Sequence, residues 1–136
     1  MNRIPDDLRG FDFTWSCCCF EHLGSLEAGI QFVLNSVEKT LRRGGIAVHT
    51  TEFNLSSNED TIEEGHTTIY RRKDMEDLVK RLRERGHDVQ PLVVAPDSHF
   101  LDYHVDVPPY THNPHIKLRY DKYITKSVGI VVRRAR

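Results

Sequence analysis

One stretch, Phe11 to Phe53, dictates most of what this chain can become. Phe11, Phe13, Trp15 and Cys17 alternate with Asp12, Thr14, Ser16 and Cys18. Side chains point to opposite faces along a strand, so the spacing predicts a strand over 11–18 with one aromatic face and one face of mostly small residues. The period then changes. Leu26, Ile30, Val33, Leu34, Val37 and Leu41 recur at helical spacing and define one buried stripe. Ser25 stands where an N-cap belongs. Arg42 and Arg43 suit the negative end of a helix dipole, and Gly44-Gly45 predicts the helix stop. A second strand opens at Ile46, Ala47, Val48 and His49. Strand, helix and strand of this length predict a right-handed crossover with parallel strands. Burying the six stripe residues contributes roughly 9–18 kcal/mol before chain entropy is subtracted, enough to make this unit the folding centre.

The flanking segments are less informative. Residues 1–10 read as a connector, punctuated by Pro5 and Gly10. After the second strand, residues 54–60 form a polar loop, and Thr67 to Tyr70 predict a short strand or extended arm. Met75, Leu78, Val79 and Leu82 mark a second helix, stopped by Gly86. An apolar strand is expected from Val89 to Ala95, ended by Pro96. Residues 97–125 resist assignment, because Pro108, Pro109 and Pro114 break regular structure. A last strand is expected over Ser127 to Val132, before a basic end.

The order of pieces in the central stretch resembles the middle of class I S-adenosylmethionine-dependent methyltransferases. The matching residues are Phe11-Asp12, Glu21-His22-Leu23, Leu34, Leu41 and Gly44-Gly45. The resemblance extends through the following helix and strand to about residue 96. It implies a partial Rossmann-like α/β sheet, mostly parallel, with helices packed on it and an antiparallel last strand between two parallel ones. It also implies methyl transfer from S-adenosylmethionine to an acceptor of unidentified kind, a small molecule or glycan-type compound. The family's glycine-rich turn after its first strand, which only glycine backbones can form so close to a cofactor, has no counterpart in this sequence. The expectation is therefore a connector over 1–10 and the C-terminal half of a methyltransferase-like domain over 11–136, a truncated form that binds S-adenosylmethionine weakly on its own. The alternative is a non-catalytic fragment that works as an interaction or self-associating module through an open sheet edge.

Candidate site residues cluster beyond the strand ends, where open α/β sheets bind ligands. Glu21 can accept a proton or hydrogen bond, and His22 can act as a general base near neutral pH. The bland alternative has Glu21 capping the next helix and His22 packed beneath it. The resemblance implies that Ser16 and Cys17 offer backbone groups to the cofactor. His49 and Glu52, ending the second strand, are candidate acceptor-binding residues, or a plain surface turn. Some members of the family bind a divalent metal through Glu-x-x-Glu-His at this turn. Here Cys18 occupies the first glutamate position, so no metal is expected. His99, His104, His112 and His115 have no standard zinc spacing; a loop folding over the acceptor pocket is the expectation there.

Composition bounds the rest. A formal net charge of −1 carries no nucleic-acid or membrane signal, and no apolar run approaches a membrane span. The three cysteines are adjacent, Cys17 to Cys19, which is no disulfide framework. Free thiols fit a reducing, cytoplasmic setting.

Overall fold

The computed structural model describes residues 3–111 and 113–136. In chain order it has β1 (Phe11–Ser16), β2 (Gly24–Ser25), α1 (Leu26–Asn35), β3 (Leu41–Asn54), β4 (Glu64–Gly65), α2 (Arg72–Glu84), β5 (Asp88–Val89), β6 (Val105–Asp106), β7 (Lys117–Tyr120) and β8 (Tyr123–Arg133). The main sheet runs β1-β3-β8-β7-β6, and β5 also pairs with β8. β2 and β4 form a separate two-residue ladder.

The central unit has the expected elements with a different junction. β1 and β3 pair in parallel, with α1 as the crossover. The Ser25 side chain caps α1 by accepting from Ala28 N at 3.1 Å. Of the six stripe residues Ile30, Val33, Leu34, Val37 and Leu41 are buried, and Leu26 is only partly buried against the same core. The helix, however, does not reach the glycines. It gives way to a wider turn over Ser36–Thr40, and Leu41 already belongs to β3. Two interactions take Leu41 out of the helix: it pairs with Phe11, and its carbonyl accepts from the Arg134 guanidinium. Arg42 and Arg43 therefore serve no helix dipole. Arg42 bridges to Asp12, and Arg43 donates to the Arg136 carbonyl. Gly44-Gly45 instead lies in an irregularity of the ladder, between the Phe11↔Leu41 and Phe13↔Ile46 pairs. A Cβ on Gly45 would sit 3.1 Å from the carbonyl oxygens of both Phe11 and Asp12, so the close strand approach favours glycine.

β8 lies between β3 and β5 and runs antiparallel to both, the topology the resemblance implies for the last strand. The sheet is not mostly parallel, however. β8 begins at Tyr123 rather than Ser127 and forms a tight hairpin with β7, which adds antiparallel pairs. Asp121, in the two-residue link, has φ +55°, a left-handed conformation that aspartate tolerates. β5 is also shorter than expected. It pairs with Arg133 and Val132, Gln90 N still donates to the Val131 carbonyl, and then Pro91 has no N–H to continue the ladder. Tyr70 makes only an isolated parallel bridge with Phe53, so the 67–70 segment is an extended arm beside the end of β3.

The two faces of the sheet differ. On one, Ala47, Phe53, Val128, Ile130 and Val132 pack with α1 and α2 in a single core. On the other, Phe13 pairs with Ile46, Trp15 with Val48, and Val48 with Val131. Phe13 is 52%, Trp15 67% and Val131 38% exposed. β1 is also a sheet edge, and Asp12 is its one charged residue. No helix among the described residues is long and apolar enough to cross a membrane.

Candidate functional site

Directly after β1 the chain turns at Cys18, whose φ is +43°. Its backbone N–H donates to Thr50 Oγ1 at 3.1 Å, and this holds the turn against β3. A short 3-10 turn, Phe20–His22, follows. Phe20 is fully buried, with its ring edge-on to Tyr70 at 5.0 Å. That anchor carries Glu21 inward and leaves His22 at the surface. The extended arm fixes the same turn from the other side: Thr68 N and Thr68 Oγ1 both donate to the Glu21 carbonyl.

Cys18, Glu21, His22 and Glu52 line a cavity of about 210 Å³, closed by Thr67, Ile69, Leu118, Tyr120 and Thr125. It lies beyond the carboxyl ends of β1 and toward that of β3, where open α/β sheets bind ligands. Glu21 is fully buried. Its Oε2 accepts from Thr51 Oγ1 at 3.1 Å, and its Oε1 has no hydrogen-bond partner. Glu52 Oε2 accepts from Thr125 Oγ1 at 2.7 Å. The Cys18 sulfur lies 3.4 Å from Ser127 Oγ. One donor atom from each of Cys18, Glu21 and Glu52 lies within 4.8 Å of the others. No Lys or Arg lines the cavity.

The electrostatics follow from that enclosure. Burial pushes the Glu21 carboxyl above the usual carboxylate range, and the neighbouring Glu52 charge adds to the shift. Burial likewise pushes the Cys18 thiol up, with smaller contributions from Glu21 and Glu52. His22 Nδ1 lies 3.0 Å from the His66 carbonyl. A carbonyl can only accept, so Nδ1 carries the proton, and Nε2 is the basic nitrogen of the neutral ring.

Glu21, His22 and Glu52 are thus brought together. Glu21 does not cap α1, since Ser25 does, and His22 does not pack beneath the helix. His49 goes elsewhere. It is fully buried under α1, on the opposite face of β3 from Glu52, and does not line the cavity. The surface-turn reading fails for it, because the residue is fully buried. Ser36 Oγ donates to the Val33 carbonyl and lies 2.8 Å from His49 Nε2. The hydroxyl proton being committed, Nε2–H donates to Ser36 and Nδ1 accepts from Ser16 Oγ at 2.7 Å. Desolvation lowers the His49 pKa to about 4, so the ring is neutral at ordinary pH. Ser16 therefore spends its hydroxyl on His49, while Cys17 is exposed beside it.

Among the described residues the tail histidines do not converge. His99 caps the turn at 100–103, and His115 sits 3.3 Å from Asp106. His104 is exposed, and His112 lies outside the described residues. The tail instead contributes Leu118 and Tyr120 to the cavity, through the β7–β8 hairpin. The alternation in Lys117–Tyr120, repeated after Asp121-Lys122, is the signal that could have located this hairpin. Nothing in the local spacing pointed to Thr51 or Thr125, which reach the carboxylates only through strand pairing.

No protein-family model matches the sequence, and no curated protein matches it. Among solved structures, the chain is similar to a S-adenosylmethionine-dependent methyltransferase from Clostridium acetobutylicum ATCC 824. The TM-score is 0.52 at 12% sequence identity, and the match covers 99% of this chain. The chain spans 62% of the length of that structure. The likeness is one of fold: a mixed α/β sheet with helices, consistent with a methyltransferase-like architecture.

Proposed function

We propose that this chain is the C-terminal, acceptor-side half of a Rossmann-like methyltransferase domain, acting with S-adenosylmethionine as methyl donor. The observation that carries this reading is the cavity at the strand ends, placed on a sheet in which an antiparallel strand is inserted between two strands parallel to each other. Within it, His22 Nε2 and the buried Glu21 carboxylate are the groups able to take a proton from an acceptor, and Glu52 is the polar wall opposite. The acceptor is a small molecule or glycan-type compound with a transferable proton. The residues present fit the donor only in part. The turn at Ser16–Cys18 offers exposed backbone on one side, but the sequence has no glycine-rich turn to hold the rest of the molecule. Complete cofactor binding, and with it methyl transfer, belongs to an assembly in which another segment or chain supplies those contacts.

Titration of 15N-labelled protein with S-adenosylhomocysteine tests this reading. Weak binding is expected, with amide shifts confined to the Trp15–Leu23 turn. Low-micromolar binding would contradict the half-site, and no shift at those amides at millimolar ligand would contradict the donor site altogether.

A second reading has its own observation. β1 is an open edge with Phe13 and Trp15 exposed beside it, and such an edge recruits another strand. On this reading the chain associates with a second copy of itself through β1.

A further inference from the structure

We propose that Cys18, Glu21 and Glu52 form a binding site for a divalent cation of the zinc class. Local spacing had argued against a metal, because a cysteine stands three residues before Glu21 where an oxygen ligand was expected. The fold changes that argument by bringing in Glu52 from β3. The left-handed turn at Cys18 directs its sulfur across the end of β3, and the three donor atoms come within 4.8 Å of one another. Ligand atoms around a tetrahedral zinc ion are about 3.5 Å apart, so small side-chain rotations close the set.

A second, independent observation points to a missing partner. Glu21 is fully buried, one of its carboxylate oxygens belongs to this cluster, and its Oε1 has no hydrogen-bond partner. An unsatisfied buried carboxylate oxygen is costly, and more so beside a second carboxylate. The cavity supplies no Lys or Arg to offset the two acids; the polar groups that reach them are hydroxyls. A cation would satisfy the orphaned oxygen and neutralise the pair. The sulfur selects the kind of cation. A thiol contributes nothing to an organic ammonium and is a poor ligand for magnesium or calcium, whereas zinc accepts thiolate and carboxylate together. Binding displaces the thiol proton to solvent. Three protein ligands would leave a fourth position for water or substrate, the pattern of a reactive rather than a structural site.

This inference rests on the reading of the cavity as the reactive site and, with Glu21 held by the cation, leaves His22 as its proton acceptor, yet its test uses neither methyl donor nor acceptor. Failure of methyl transfer leaves it standing, and failure of zinc binding leaves the transfer reading standing. The experiment titrates chelator-treated protein with zinc against a chromophoric competitor, and with cobalt(II) as a spectroscopic probe. One equivalent per chain is expected, with a thiolate-to-cobalt charge-transfer band. Cys18→Ser should abolish that band and weaken zinc binding more than about tenfold, and Glu52→Gln should weaken it by a similar factor. The adjacent thiols are the control: a Cys17→Ser/Cys19→Ser double variant should retain both band and affinity. Circular dichroism of each metal-free variant checks that it folds, and Glu52→Gln keeps an acceptor for Thr125 if Cys18→Ser does not fold. Absence of stoichiometric zinc binding overturns the proposal. So does binding that survives in Cys18→Ser and Glu52→Gln, or that is lost in the double variant.

Discussion

The sheet has two faces that obey different rules. Under α1 and α2, Leu34, Met75, Leu78, Leu82, Ala47 and Val132 are essentially inaccessible to water. On the other face, Phe13, Trp15 and Val131 are open to it. Both faces are apolar in sequence, but only one is covered within these residues. Among the described residues only the β1·β3 and the short β6·β7 ladders are parallel, and it is parallel pairs that helices usually cover on both faces. The covered face can sustain the fold, while the open face beside the β1 edge is left uncovered by the described residues.

Substitutions should sort along this division. Leu34→Ala on the covered face should cost about 4 kcal/mol, the scale for emptying a fully buried leucine site, and denaturant unfolding would measure it. Gly29→Ala should cost about 3 kcal/mol by overpacking. Its Cβ would lie 1.9 Å from the Tyr70 hydroxyl, which donates to the Leu26 carbonyl. A thermal scan of the variant checks this, and a wild-type midpoint would mean that α1 and the arm are not held together as described.

Acid should act on the covered face through His49. Its pKa in the folded chain is about 4, against about 6.5 when unfolded. Between those values the unfolded state binds the additional proton, so stability falls as pH drops from about 6.5 to about 4. The loss amounts to about 3 kcal/mol at most, and this contribution is flat above pH 6.5. Denaturant unfolding at several pH values, for wild type and His49→Gln, isolates it: the difference between the two curves should change sharply only in that window. The smallest effect is expected on the open face, where Trp15→Ala should change monomer stability by less than about 0.5 kcal/mol.

How much of this was legible in sequence follows from how local each feature is. The α1 stripe, the Ser25 cap and the α2 stripe are set by neighbours a few residues apart, and they read correctly. The α1–β3 junction did not, because Leu41 is drawn into the sheet by Phe11 and Arg134, distant in sequence. The hairpin of β7 and β8 was hidden by its proline-rich approach. At the candidate cavity, the placement of Glu21 and His22 just past the end of β1 was legible from sequence. The burial of His49 is not legible from spacing: strand alternation turns its ring and the Glu52 side chain to opposite faces, but which face α1 covers is set by packing. The meeting of Cys18 with Glu52 depends on strand register, which spacing alone does not specify.

The central proposal is that β1 and the open face, left uncovered by the described residues, recruit a second copy of the chain. Light scattering over a concentration series, on wild type and Trp15→Lys, tests it most directly. The lysine sits on the open face and places a charge beside the edge, with no buried contact to disturb. The account predicts a wild-type mass that rises above 15.8 kDa with concentration, and a Trp15→Lys mass that stays at the monomer value with the same unfolding midpoint. A wild-type chain that remains monodisperse at 15.8 kDa at every concentration, with cooperative unfolding, would contradict it.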